Sequence, residues 1–213
     1  LLFVSLTGPS LWPDPSETAR ASETLPGIIG TDDRLPVRSR DLPWAAIGRV
    51  NRETGGFCTG VLIGPREVLT AAHCLWNKRT NQWLPVDALH FVTGWRGGPY
   101  VAHGLVKELR VSPGITFDNQ GHPTRLTDDW ALLELDRDLG TKVGSLPLVA
   151  LPAASAIELA SERQSLTSAG YNQDRPHLLY QPGKCNVQGV AEGGRLLLHD
   201  CYLTKGASGA PIL

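Results

Sequence analysis

A serine bracketed by small residues is the first group in this chain that could do chemistry. Ser208 sits in Lys205-Gly206-Ala207-Ser208-Gly209-Ala210-Pro211. Glycines on both sides let the backbone bend tightly and let a substrate approach closely. They also leave backbone N–H groups free to face a developing oxyanion. Gly-x-Ser-Gly is a common turn, so it gains meaning only beside other groups. A serine hydroxyl is a poor nucleophile until a base takes its proton, and the base needs a group that fixes its tautomer.

The chain has six histidines, and His73 stands apart from the other five. It follows the small residues Thr70-Ala71-Ala72 at the end of an apolar run and precedes Cys74. The orienting acid is expected at Asp129, in Asp128-Asp129-Trp130-Ala131-Leu132-Leu133. Its carboxylate would lie at the edge of a buried strand and need a partner. Asp128, facing the other way, is expected to serve solvent or a cap.

The elements that must carry these residues read as strands. Trp44–Val50, Phe57–Ile63 and Val68–Ala72 are short apolar runs separated by turns at 51–56 and 64–67. Further strands are expected over Leu89–Thr93, Tyr100–Leu105, Glu108–Val111 and Asp128–Leu135. After a connection rich in Gly, Pro, Ala and Ser come Ser165–Ala169, Lys184–Val190 and Arg195–His199. With 23 glycines and 16 prolines in 213 residues, this is the pattern of an all-β protein rather than a helical bundle. The expected division is a leader or pro-segment over 1–27, a first β-barrel over 28–140, a connection over 141–162 and a second β unit over 163–213. Pro, Ser, Thr and Glu dominate the leader, which therefore has little to bury.

Net charge of −1 offers no basic footprint for nucleic acid. Leu1–Leu6 is too short to span a bilayer and reads either as the tail of a secretory signal or as an apolar scrap of leader. The absence of methionine points to a processed chain or a fragment. Cys58, Cys74, Cys185 and Cys201 form no Cys-x-x-Cys pair, so no structural zinc site is expected. The simplest pairing is Cys58 with Cys74 and Cys185 with Cys201. Each bridge would close a short loop worth ~3 kcal/mol in the chain-entropy model. That pairing implies an oxidising, extracytoplasmic compartment, secreted or periplasmic; four reduced core cysteines are the alternative.

Taken together, Thr70-Ala71-Ala72-His73-Cys74, Asp129-Trp130-Ala131-Leu132-Leu133 and Gly206-Ala207-Ser208-Gly209-Ala210-Pro211 resemble the three catalytic motifs of trypsin-like serine proteases, in that family's order. Finer features resemble the bacterial secreted branch that includes V8-like glutamyl endopeptidases. These are Ile28-Ile29-Gly30-Thr31-Asp32-Asp33-Arg34, Pro43-Trp44, Cys58-Thr59-Gly60-Val61-Leu62-Ile63, Ala169-Gly170-Tyr171 and His199-Asp200-Cys201. The resemblance implies a two-barrel chymotrypsin-like fold and a serine endopeptidase acting on protein or peptide substrates. It implies Ser208 as nucleophile, His73 as general base and then acid, Asp129 as the group that holds His73, and the N–H groups of Gly206 and Ser208 as the oxyanion hole. Neither a cofactor nor a metal is implied, and a monomer is expected.

Two departures from the family pattern bear on mechanism. Animal members carry an Asp immediately before the serine, where it pairs with a newly freed N-terminal amine; here that residue is Ala207. Tyr202 falls near the position of trypsin's pocket Asp, so Tyr202, Leu203 and Thr204 are the expected pocket wall and nothing supports cleavage after Lys or Arg. The chain ends at Leu213, soon after Ser208. The second barrel is therefore expected to be incomplete, with an exposed edge and low stability in isolation. From a different class, the alternative reading is a catalytically silent protease-fold binding or adhesion domain; a metal-binding module from scattered His and Asp fits less well, because the ligand spacing is poor.

Overall fold

The computed structural model describes residues 27–28 and 31–213. The leader expected over 1–27, apart from Gly27, lies outside the described residues, as do Ile29 and Gly30.

The chain is built mostly of strands. In the first half these are β1 (Leu35–Pro36), β2 (Ile47–Arg52), β3 (Phe57–Leu62), β4 (Glu67–Thr70), β5 (Trp76–Asn77), β6 (Gln82–Trp83), β7 (Leu89–Thr93), β8 (Ala102–Val111) and β9 (Ala131–Leu135). A helical turn, α1 (Gly140–Val143), and a longer helix, α2 (Ala153–Ser161), follow. The second half carries β10 (Gly170–Asn172), β11 (Arg175–Gln181), β12 (Val187–Ala191) and β13 (Leu196–His199).

Six strands close into an antiparallel barrel in the order β2-β3-β4-β9-β8-β7. Alternation along each strand sends Val50, Leu62, Val68, Leu89, Phe91, Leu133 and Leu135 inward, where all are fully buried. Closure removes the sheet edges that a short-stranded sheet would otherwise expose. It also places β4 beside β9, with Thr70 opposite Ala131.

The second half forms an open sheet, β1-β11-β10, and a hairpin, β12-β13. Isolated bridges join Ser165 to Asn186 and Ser168 to Ile212. Among the described residues these strands do not close into a second barrel. The N-terminal strand β1, within the span assigned to the first barrel, pairs instead with β11, Leu35 opposite Gln181.

Several elements differ from the sequence expectation. The strands expected over Tyr100–Leu105 and Glu108–Val111 merge into one, β8, which begins at Ala102 and whose pairing with β9 shifts register between Val106 and Glu108. Such a bulge breaks the alternation and imitates a strand end. Pro176 near its start keeps β11 from reading as a strand in the sequence. The connection holds α2, which the turn-rich composition around it conceals; Ala153, Ala154, Glu158, Leu159 and Ala160 are good helix formers.

Candidate active site

β4 and the turn after it position the imidazole. Thr70 ends β4, and Ala72–Leu75 make one 3₁₀ turn that carries His73. A disulfide from Cys74 to Cys58 on β3 anchors that turn to the barrel. Asp129 follows a 3₁₀ turn over Leu126–Asp128 and precedes β9. Because β4 pairs with β9, residues 56 positions apart in the chain meet.

The contact is two-pronged. One Asp129 oxygen accepts the His73 backbone N–H at 2.8 Å, and the other lies 2.6 Å from Nδ1. An ionised carboxylate can only accept, so Nδ1 carries the proton and Nε2 is left as the basic nitrogen. Burial favours the neutral form of Asp129, but the hydrogen bonds and charge of His73 outweigh it and hold the carboxyl below its usual range. Asp128, expected to serve solvent or a cap, is mostly buried and takes local partners: it lies 3.3 Å from the Arg125 Nε and accepts from Ser112 Oγ at 3.3 Å.

Ser208 stands on a loop that the first barrel holds from beneath. Thr59 of β3, fully buried, donates its backbone N–H to the Ser208 carbonyl at 2.9 Å. The Thr59 hydroxyl donates to the Gly206 carbonyl at 2.9 Å and accepts the Tyr171 N–H at 2.9 Å. Thr70 Oγ1 in turn donates to the Thr59 carbonyl at 2.7 Å. One threonine thus ties the serine loop, β10 and the strand leading to His73 into a single unit. Sequence reasoning gave Thr59 no role, since a lone Thr inside a strand carries no local signal.

Flanking the serine, Gly206 and Gly209 have φ of +95° and +84°, which disfavour any side chain. The turn is closed by Ala207 N–H donating to the Thr204 carbonyl at 3.1 Å. Among the described residues the N–H groups of Gly206 and Ser208 have no acceptor. His73 and Ser208 line one cleft of about 590 Å³, together with Cys58, Cys74, Gln173 and Lys205. They make no direct hydrogen bond to each other, and such bonds commonly tighten only when substrate binds. Tyr202, Leu203 and Thr204 are half-buried and do not line this cleft.

Thr204 is instead part of a second anchor. The Arg34 side chain is completely buried. It donates to both oxygens of Asp32 (2.9 and 2.8 Å), both of Asp174 (3.1 and 2.6 Å) and to Thr204 Oγ1 at 3.4 Å. Buried Asn172 accepts the Thr204 N–H at 2.9 Å. The hydrogen bonds from Arg34 pull Asp32 from its ordinary 3.8 down to about 2. Asp32-Asp33-Arg34 reads in sequence as a polar turn, yet it ties the N-terminal segment to the loop leading into Ser208. Ala207 is buried against Gly170 rather than facing any ion pair. A second disulfide joins Cys185 to Cys201 upstream of the same loop. The sulfurs near His73 and His199 belong to these two bridges and so have no thiolate to offer a metal.

A sequence model of the trypsin family matches residues 31–192. The chain belongs to the trypsin family. The matched span includes His73 and Asp129 and stops short of Ser208. Among curated relatives, a glutamyl endopeptidase of Bacillus licheniformis is 30% identical over 129 residues, covering 59% of this chain and 38% of that protein. Serine protease 23 of Rattus norvegicus is 29% identical over 215 aligned residues, covering 92% and 53%. Granzyme M of Homo sapiens is 33% identical over 151, covering 67% and 49%. The chain therefore spans about half, or less, of the length of these relatives. A solved Glu endopeptidase structure superposes with a TM-score of 0.66 at 21% identity, covering 87% of this chain and 81% of that one. That likeness carries the fold, an all-β trypsin-like architecture.

Proposed function

We propose that this chain is the catalytic part of an extracytoplasmic serine endopeptidase, with Ser208 as nucleophile, His73 as general base and acid, and Asp129 as its orienting group. The observation that carries the reading is the double hold of Asp129 on His73 beside the same cleft that Ser208 lines.

In this reading Ser208 Oγ attacks the scissile carbonyl carbon while His73 Nε2 takes its proton. The carbonyl π electrons move to oxygen, and the free N–H groups of Gly206 and Ser208 receive that oxyanion. The intermediate collapses when the imidazolium gives its proton to the leaving amine, and the C–N bond breaks to leave an acyl-serine. Water, deprotonated by His73, then releases the acid and restores the hydroxyl. Asp129 stays ionised throughout and stabilises the imidazolium. The two disulfides support an oxidising compartment. Among the described residues no helix is long and apolar enough to cross a membrane. The substrate is a protein or peptide and the working unit a monomer. Tyr202, Leu203 and Thr204 are kept as a proposed wall of the specificity pocket, lying beside the cleft and not in its lining.

A fluorophosphonate probe tests the roles on the full-length protein. It is expected to label wild-type protein at Ser208, to leave Ser208→Ala unlabelled, and to label His73→Ala and Asp129→Asn at least ~10³-fold more slowly. Equal labelling of wild-type and the Ser208→Ala protein would overturn the assignment. A folded, unlabelled wild-type protein would favour a binding domain on a protease fold.

A further inference from the structure

We propose that a cationic groove on the outer face of the barrel binds an acidic side chain of the polypeptide substrate, on the leaving-amine side of the cleft. The proposal rests on the endopeptidase reading above. Three neighbouring strands build the groove by their register. Asn51 of β2 lies opposite His90 of β7, Arg49 opposite Val92, and Val92 opposite His103 of β8. Side chains on one face of adjacent strands converge, and with Arg52 and Trp95 these residues enclose about 480 Å³.

The groove has donors and positive charge but no matching acid. Among the described residues neither Arg49 nor Arg52 has a carboxylate within ion-pair distance. Their Nη1 atoms reach only backbone carbonyls, Pro176 at 3.1 Å and Cys74 at 3.4 Å. The Nε of Arg49, the Nε of Arg52 and the indole N–H of Trp95 are buried with no acceptor among the described residues. The Arg49 guanidinium stacks on Phe57, 3.9 Å from the ring centre, and lies 5.2 Å from that of Trp95. These rings hold it in place and thin its hydration.

Burial works against the charge on both arginines. It also pushes His90 down, as do the charges of His103 and Arg49, while Glu53 is the one carboxylate acting in the opposite sense. Half-desolvated guanidiniums without a counter-charge are costly, and a bidentate carboxylate is the ligand that relieves them best.

Position selects the source of that carboxylate. Arg52 lines both this groove and the cleft that holds His73 and Ser208. The leaving amine must reach His73 to take its proton, so the departing chain runs along the Cys58–Cys74 side, toward Arg52. An Asp or Glu a few residues beyond the scissile bond would meet the groove there.

The test uses full-length Ser208→Ala protein, so that peptides bind without being cut, and fluorescence anisotropy of two labelled peptides. One carries Glu residues beyond the scissile position and the other carries Gln at the same places. The Glu peptide is expected to bind about tenfold tighter at low salt, and the advantage to shrink below about threefold near 0.5 M salt, where the screening length is a few ångströms. Adding Arg52→Gln should remove most of the advantage; Arg52→Lys should keep part of it. Equal binding of the two peptides to the Ser208→Ala protein overturns the proposal, and so does a full advantage in Arg52→Gln. Binding of a sulfated oligosaccharide with no preference for the Glu peptide would equally overturn it. The salt comparison needs no groove variant, so poor folding of Arg52→Gln does not blunt the test. Binding here requires no turnover, so failure of probe labelling and failure of the groove are separate results.

Discussion

Replacing Thr59 by valine should loosen the serine loop while leaving Ser208, His73 and Asp129 in the chain. Valine matches threonine in shape, so the change removes only a hydroxyl from a site with no solvent exposure. That hydroxyl makes two hydrogen bonds, donating to the Gly206 carbonyl and accepting the Tyr171 N–H, each at 2.9 Å. Tyr171 is itself buried, so its N–H would be left without water or partner. An unpaired buried group costs about 1–3 kcal/mol, and a lost bond to a half-exposed carbonyl about 0.5–1.5 kcal/mol. The sum is about 1.5–4.5 kcal/mol, or a fall in Tm of about 3–18 °C for a chain of this size. Thr59→Ser keeps the hydroxyl and loses one methyl, which costs about 1 kcal/mol. Because Gly206 presents an N–H to the cleft, releasing its carbonyl should also lower kcat at least about tenfold, with a smaller change in KM. Thermal melts and probe-labelling rates on wild-type, Thr59→Ser and Thr59→Val check both parts. A valine variant that melts within about 2 °C of wild-type and labels at the same rate would refute the reasoning.

Two further predictions concern the anchors. Arg34→Met strands the acids that Arg34 pairs with and should cost about 3–5 kcal/mol by denaturant unfolding, with slower probe labelling, because Thr204 loses a donor as well. Asp32 has a depressed carboxyl, so its share of stability is present above about pH 4 and drains away as pH falls toward about 2; Tm measured across that window should drop more steeply for wild-type than for Asp32→Asn. Replacing both Cys58 and Cys74 by alanine opens a 16-residue separation and should cost ~3 kcal/mol on unfolding, with a slower probe reaction because the His73 turn loses its tether to β3.

Much of the barrel is legible in the sequence because its signals are local. Leu89–Thr93 is a short apolar run bounded by turns, and its bounds match β7. Where a local device disturbs the pattern, reading fails for a definable reason. The bulge between Val106 and Glu108 divided one strand into two, and Pro176 hid β11. An Ala-rich helix disappeared into a connection chosen by its glycines and prolines. Asp128 and Asp129 are neighbours in sequence with the same chemistry, and the register of β9 against β4 is what sends one to His73 and the other to Arg125.

By itself the sequence determined which residue types are present for acyl transfer, their order His73, Asp129, Ser208, and the family they resemble. These are matters of composition and short-range spacing. Tertiary structure decided everything that depends on segments far apart in the chain. Thr59 reaches a loop 147 residues away, Arg34 reaches Asp174 140 residues away, and Arg49 is held by a carbonyl 127 residues away. No periodicity encodes such meetings. They follow from barrel closure and strand register, which convert an isolated threonine and a polar turn into supports for the serine loop, and bring Arg49, Arg52, His90 and His103 to one groove.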